Sequence, residues 1–200
     1  HRRGGLALAT IGGCAGFGAV CGSSVATAAT MGRVALPEML RHNYSPSLAT
    51  GSIAAGGTLG MLIPPSIIMV IYAFLTEQFV ITLFIAALVP AIIAIALHFL
   101  AIAVVVRLDP SAGPAGELMP WSDRWQVVKQ SWGVLLLLIS VIGGIYGGVF
   151  TVNEAAALGA VLAFLFTVFR GKLSLSVLRE VVRDAALNTA MIYIIIAGAS

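Results

Sequence analysis

Charged residues are rare in this chain and divide it into long uncharged segments. Only 10% of the 200 residues are charged and 60% are hydrophobic, whereas an average soluble domain is about 25% charged. A helix that crosses a bilayer needs about 20 apolar residues. We therefore predict an all-α membrane protein. Its uncharged segments are 4–32, 43–76, 78–106, 130–153, 155–169 and 185–200.

The Lys and Arg residues lie between these segments, and they indicate how the chain threads the membrane. Lys and Arg collect on the cytoplasmic side. If the first segment does not cross and the later segments cross in turn, all 11 basic residues fall on one side. If the first segment crosses once, they are divided between the two sides. The charges therefore favour zero or two crossings for residues 4–32.

The length of the first segment decides between these options. Its residues would make about 44 Å of helix, which is too short for two crossings of a bilayer. We predict a re-entrant helical hairpin that enters and leaves on the same side, with its tip at Gly22, Ser23 and Ser24. The alternative is one ordinary, glycine-rich span that violates the charge rule.

A second interruption lies in the segment 43–76. Pro64 and Pro65 lack N–H groups, so the carbonyls of Gly60 and Met61 lose their helical partners. Glycines lower the cost of unwinding, and we expect the helix to open from Gly57 onward, near the middle of the membrane, with the second half-helix starting at the prolines. The alternative is a proline kink that is packed by glycines and binds no ion.

Both interruptions offer oxygen ligands and helix N-termini. Unwound carbonyls at mid-membrane suit Na⁺, the hydroxyl of Ser23 or Ser24 can cap the returning helix, and Thr27 and Thr30 add hydroxyls. Half-helix N-termini favour an anionic substrate. Neither segment contains a carboxylate, which favours Na⁺ over a proton relay.

Other residues carry weaker signals. Cys14 and Cys21 are interpreted as small packing residues, and His98 as a packed or hydrogen-bonded histidine rather than a proton carrier. The chain shows no nucleophile–base pair and no transition-metal cluster, so we predict that it is not an enzyme. Its basic residues flank membrane segments and do not indicate nucleic-acid binding.

The remaining segments predict further helices and one linker. Thr151 and Glu154 have the spacing of a capping box, for which a role in binding an outside partner is the alternative. Residues 174–184 form an amphipathic pattern, typical of an interfacial helix or of a plain surface helix. Trp121, Trp125 and Trp132 are predicted interface anchors. The predicted elements are a hairpin at 4–42, a broken helix at 46–76, helices at 79–106, 131–150 and 154–169, and the start of another helix at 185–200.

Three stretches resemble the large membrane subunit of the tripartite ATP-independent periplasmic (TRAP) transporters, the DctM-like family. They are residues 16–32 (GFGAVCGSSVATAATMG) with Pro37, Glu38, Met39 and Tyr44, residues 51–66 (GSIAAGGTLGMLIPPS), and residues 143–157 (GGIYGGVFTVNEAAA). The resemblance covers nearly the whole chain. It implies the inverted-repeat elevator fold of the ion-transporter superfamily, with residues 1–108 ending the first repeat, 109–129 as a cytoplasmic linker and 130–200 opening the second.

The resemblance also implies a function and its residues. The expected protein is a permease of the bacterial inner membrane that imports a carboxylate, such as a C4-dicarboxylate or sialic acid, with Na⁺ as the coupling ion and no other cofactor. Its expected partners are a periplasmic substrate-binding protein, a small membrane subunit and the lipid bilayer. The expected Na⁺ site comprises Gly22, Ser23, Ser24, Gly56, Gly57, Thr58, Gly60 and Met61. The expected substrate-binding residues are Ser24, Thr27, Pro64, Pro65 and Ser66.

Two other functions stay open at this point. One is a divalent-anion:sodium symporter of the same superfamily that needs no binding protein. The other is a membrane scaffold that does not transport. The last apolar run reaches the end of the sequence, so we expect a piece of a longer protein. The resemblance implies that the second hairpin and second broken helix follow Ser200.

Overall fold

The computed structural model describes residues 3–116, 125–126, 129 and 131–199. All regular structure in these residues is helical. Residues 117–124, 127 and 128 of the predicted linker, and with them Trp121, lie outside the described residues. The helices are α1 (Gly5–Cys21), α2 (Ser24–Arg41), α3 (Pro46–Leu62), α4 (Ile67–Leu75), α5 (Val80–Leu108), α6 (Trp132–Tyr146), α7 (Val152–Phe169) and α8 (Leu175–Ala199).

Several helices have the length and composition of membrane spans. The helices α5 and α7 qualify singly, and α3 and α4 qualify together as one span with a 42° bend. The helices α1 and α6 are apolar but shorter. This agrees with the prediction of an all-helical membrane protein. Exposed large apolar side chains are common on α5, as expected for a surface that faces lipid.

The helix α3 packs between the two arms of the α1–α2 hairpin. Along α1, Cys14 faces Gly56 and Gly18 faces Gly60, so α1 and α3 run in the same direction. Along α2, Ala28 faces Gly57 and Ser23 faces Gly60, so α2 runs in the opposite direction. A β-carbon on Gly18 would lie 2.6 Å from the Cα of Gly60. Small residues at such contacts let backbones approach closely, which is how helices associate in membranes.

The expected start of the break in α3 is wrong. The helix continues through Gly56, Gly57 and Gly60 to Leu62, and α4 begins at Ile67 rather than at the prolines. The carbonyls of Gly56 and Gly57 therefore belong to a regular helix. The physical reason is packing: these glycines lie against α1 and α2, where helical geometry is held by neighbours on both sides.

A core cluster gathers at the end of the hairpin away from its tip. It contains residues of α1, α2, α3 and α5 and of their connections, among them Ile11, Met39, Tyr44, Leu59 and Val106. Met39 is fully buried, and its sulfur lies 3.6 Å from the hydroxyl of Thr10 and 3.9 Å from that of Ser52. The four helices α1, α2, α3 and α5 therefore share one packed core.

A second cluster joins α5 to α6 and to the first turn of α7. It is built from Phe84, Val141, Ile145 and Ala155, with Tyr146 and Phe150 packed against it. The predicted capping box at the start of α7 is confirmed. The Glu154 carboxylate accepts from the N–H of Thr151 at 2.8 Å, and the Thr151 hydroxyl accepts from the N–H of Glu154 at 3.3 Å.

Residues 156–199 form a separate compact unit, which consists of the rest of α7 and of α8. The helix α8 is continuous from Leu175 to Ala199, so the structure shows no break between the amphipathic pattern at 174–184 and the following apolar residues. In the first unit, the Nδ1 atom of His98 lies 2.6 Å from the carbonyl oxygen of Ala94, one turn earlier in α5. A bond within its own helix fits the interpretation of His98 as a structural residue.

Candidate functional site

The turn between α1 and α2 consists of Gly22 and Ser23. Gly22 has a positive φ of 63° and ends α1 by donating its N–H to the carbonyl of Gly18 at 2.7 Å. Ser23 is the N-cap of α2, and its hydroxyl accepts from the N–H of Ala26 at 3.4 Å. The fully buried Thr27 donates its hydroxyl to the carbonyl of Ser23 at 2.7 Å. These bonds give the hairpin tip a defined shape.

The break between α3 and α4 covers residues 63–66. Ile63 ends α3 by donating its N–H to the carbonyl of Leu59 at 2.9 Å. Pro64 has no N–H for the Gly60 carbonyl, and the peptide bond between Pro64 and Pro65 is cis. The hydroxyl of Ser66, which is 1% exposed, donates to the carbonyl of Met61 at 2.6 Å. Ser66 thus gives the Met61 carbonyl a partner that the proline cannot supply.

The hairpin tip and the break meet. A β-carbon on Gly22 would lie 3.0 Å from the carbonyl oxygen of Pro65. A β-carbon on Gly60 would lie 2.8 Å from the Thr27 hydroxyl and 2.9 Å from the Ser23 carbonyl oxygen. We call this place the tip junction and define it by Gly22, Ser23, Thr27, Gly60 and Pro65. Because glycines occupy the contact points, the Pro65 carbonyl oxygen lies against the hairpin turn, and the Ser23 and Thr27 oxygens lie against α3.

Other predicted site residues lie beside the tip junction or away from it. Gly57 lies against Ala28 and the carbonyl of Ser24, the first residue of α2, one turn from the junction. Gly56 faces α1. Thr58 is exposed, and its hydroxyl donates to the Ala55 carbonyl at 2.7 Å within α3. The side chain of Met61 is 39% exposed.

Two residues of α1 shape the site: Gly18, which the sequence prediction did not single out, and Cys14, which it interpreted as a small packing residue. Gly18 contacts Gly60 and Cys14 contacts Gly56 of α3, and the two residues on each helix are four positions apart. This spacing is the small-xxx-small pattern of packed membrane helices, and it could have identified the contact from the sequence. It explains why glycine is required at Gly60 even though the helix does not unwind there.

The chemistry available at the tip junction is that of neutral oxygen ligands. Carbonyl and hydroxyl oxygens of Ser23, Thr27 and Pro65 lie there, and the segments that build it contain no charged residue. No group of three or more His, Cys, Asp or Glu residues that could hold a metal ion occurs in the described part of the chain. Such an environment fits a hard monovalent cation better than a transition metal.

The fold and site define a class: an all-helical membrane protein in which a helical hairpin meets a broken helix. Comparison with known families gives the particular one. The sequence model of the tripartite ATP-independent periplasmic transporter, DctM component, matches residues 1–200. The chain belongs to this family, as the sequence resemblance indicated.

Characterised relatives match along almost the whole chain. The C4-dicarboxylate TRAP transporter large permease protein DctM of Pseudomonas aeruginosa is 40% identical over 201 residues, which cover 100% of this chain and 46% of the relative. The ectoine TRAP transporter large permease protein TeaC of Halomonas elongata is 35% identical over 98% of this chain and 46% of its own length. The isethionate TRAP transporter permease protein DctMQ of Oleidesulfovibrio alaskensis is 32% identical over 98% of this chain and 31% of its own length.

Two facts follow from these matches. The chain spans about half, or less than half, of the length of the large permease proteins that it matches. The relatives are named as transporter permeases rather than as enzymes, which agrees with the prediction from the sequence.

Proposed function

We propose that this chain is part of the large permease subunit of a TRAP transporter that imports an organic acid by sodium symport across the bacterial inner membrane. The observation that carries the proposal is the tip junction, where the α1–α2 turn meets the break in α3–α4. Together with family membership, this geometry favours a transporter over a membrane scaffold.

Sodium coupling is supported by the type and position of the ligands. The Pro65 carbonyl oxygen lies against Gly22, and the Ser23 carbonyl and Thr27 hydroxyl oxygens lie against Gly60. Discontinuous helices of this kind supply the carbonyls that coordinate Na⁺ in secondary transporters. A carboxylate that could carry a proton is missing from the segments 4–32 and 43–76. Ser24 and Gly57, one turn away, complete the wall of the proposed site.

The substrate class is supported by the relatives. Their names give a C4-dicarboxylate, ectoine and isethionate as substrates. We propose an organic acid because the relatives named for C4-dicarboxylates share the highest of these identities, 40%. The helix α4 begins beside Gly22, and its N-terminus would face an anionic group of the substrate. Thr27, Pro65 and Ser66 would form the nearby wall.

The proposed assembly follows the family. A periplasmic binding protein would deliver the substrate, and a small membrane subunit would pack against the large one; the isethionate relative's name, DctMQ, suggests a fused form. The hairpin would be re-entrant, and the hairpin and broken helix would move together as an elevator within an inverted-repeat fold. The close contact of α3 with both hairpin arms supports movement as one body.

Sodium binding can be tested with the variant Ser24→Ala in the full-length protein. We expect the Na⁺ concentration for half-maximal uptake to rise about tenfold, equivalent to about 1.4 kcal/mol, because a hydroxyl at the start of α2 is lost. Uptake is measured in proteoliposomes with the binding protein present. Ser47→Ala, an exposed serine at the start of α3, is the control. Unchanged sodium activation in Ser24→Ala would count against the site.

The same assay separates the other functions. Uptake that proceeds without the binding protein would point to a symporter of the divalent-anion type. Absence of uptake in the complete assembly, with every named substrate tested, would favour a scaffold.

The re-entrant hairpin predicts which side of the membrane the ends of the hairpin face. Single cysteines at positions 3 and 41, which flank α1 and α2, should react with a membrane-impermeant maleimide from the same side. The background is a full-length protein whose own accessible cysteines are replaced, and a cysteine at Glu77 in the α4–α5 turn should react from the opposite side. Labelling of positions 3 and 41 from opposite sides would refute the hairpin.

A further inference from the structure

A short loop after α5 contacts two segments that are distant in the chain. In this loop, residues 109–113, the carbonyl of Ala112 accepts from the N–H of Ser45 and the carbonyl of Gly113 accepts from the N–H of Gly4, both at 2.9 Å. Gly4 is the residue before α1, and Ser45 is the N-cap of α3. The loop therefore joins the start of α1, the start of α3 and the end of α5.

The 109–113 loop holds its own shape. The carboxylate of Asp109 accepts hydrogen bonds from the N–H and the hydroxyl of Ser111, and the carbonyl of Asp109 accepts from the N–H of Ala112 at 3.2 Å. An Asp that bonds the backbone two residues later makes a turn, and Pro110 between them suits it. The bonds from Ser111 lower the pKa of Asp109. The charged carboxylate therefore persists at neutral pH, and its bonds weaken only when the pH falls through this lowered pKa.

The contacts of the loop leave little room. A β-carbon on Gly113 would lie 3.0 Å from Cγ2 of Val106 and 3.2 Å from the N and Cα atoms of Gly4. Ala112 is 5% exposed and belongs to the core cluster at the hairpin base. Gly4 itself has a positive φ of 72°, which favours glycine. Gly4 and Gly113, which are distant in the sequence, thus lie in direct contact.

A third bond reinforces the same place. The hydroxyl of Tyr44, a buried residue in the α2–α3 connection, accepts from the N–H of Leu6 at 3.0 Å. The first N–H groups of a helix have no partner within the helix, and here Leu6 obtains one from another segment. Among the described residues of α1 to α5, the backbone hydrogen bonds between separate helices or their ends lie at this base, and none joins the tip to residues 63–66.

We propose that the 109–113 loop is a clasp that fixes the starts of α1 and α3 to the end of α5, so that this end of the bundle moves as one rigid unit. The clasp is independent of the proposed sodium site. The 109–113 loop, which follows α5, thus has a mechanical role.

The clasp can be tested by hydrogen–deuterium exchange on the full-length protein, without sodium or substrate. Gly113→Val places a branched side chain against Gly4 and Val106, and we expect amide exchange in peptides covering residues 4–10 and 44–50 to accelerate at least about tenfold. Gly116→Val is the matched control, because a β-carbon on Gly116 would meet nothing within 4 Å. Exchange in the control should equal that of the wild type.

A second, milder variant keeps the clasp testable if Gly113→Val does not fold. Asp109→Ala removes the acceptor for Ser111 without adding bulk, and it should accelerate exchange in the same two peptides, while peptides that cover residues 17–27 keep their wild-type rates. Wild-type rates at the base in both variants would overturn the clasp. Acceleration spread evenly from α1 to α5 would overturn it as well, because the loop would then contribute to global stability only.

Discussion

Gly60→Val is expected to abolish sodium-dependent uptake by the full-length transporter. A β-carbon at this position would lie 2.8 Å from the Thr27 hydroxyl, 2.9 Å from the Ser23 carbonyl oxygen and 3.1 Å from the Ser23 carbonyl carbon. Backbone atoms cannot rotate away as the end of a flexible side chain can, so α2 and α3 must separate at the tip junction. Overpacking of a filled interior costs about 1–3 kcal/mol, and here the strain falls on the proposed ligands themselves.

The measurements for Gly60→Val are uptake in proteoliposomes and thermal unfolding. Gly51→Val is a close control, because Gly51 lies in the same helix and a β-carbon there would meet nothing within 4 Å. Both variants replace glycine by valine within a helix, so both carry the same small gain in helix propensity, about a few tenths of a kcal/mol. Wild-type uptake in Gly60→Val would mean that the contact of α3 with the hairpin tip is not needed for transport.

Ser66→Ala is expected to lower both the stability of the protein and the uptake rate. The hydroxyl of this buried serine donates to the Met61 carbonyl at 2.6 Å. Its removal leaves the partly buried Met61 carbonyl without that partner, at a cost of about 1 kcal/mol, and the break between α3 and α4 loses the bond that spans it. The fall in the unfolding temperature and the uptake at saturating sodium can be measured on the same preparation.

The control for Ser66→Ala is Thr76→Ala. The Thr76 hydroxyl makes the same kind of bond, to the Tyr72 carbonyl at 2.7 Å, but it lies exposed at the end of α4. We expect a change below about 0.5 kcal/mol there. If both variants behaved alike, the bond across the break would have no special role.

The sequence predicted the location of the two interruptions better than the backbone structure around them. The prolines located the break because a missing N–H has the same effect in any surroundings. The glycines led to a wrong start for the break, because glycine suits both an unwound segment and a close contact between helices. Gly57 and Gly60 serve the contact, as the positions of Ala28 and Ser23 against them show.

The hairpin tip and the clasp show which contacts can be predicted from the sequence and which cannot. Ser23 could be predicted as a cap because its partner, Ala26, is three residues away. The bonds from Gly4 to Gly113 and from Ser45 to Ala112 could not, because they join residues that come together only after α1, α3 and α5 have packed. The sequence predicted a linker at 109–129, but not the segments that its first residues contact.

The distance in sequence between Gly4 and Gly113 also has a consequence for biosynthesis. At roughly 5–20 residues per second, a ribosome needs about 5 to 20 seconds to make the chain between them. Throughout that interval the carbonyl that will accept from Gly4 does not yet exist. The N–H of Gly4 must therefore find another hydrogen-bond partner until the end of α5 and the loop after it have been made.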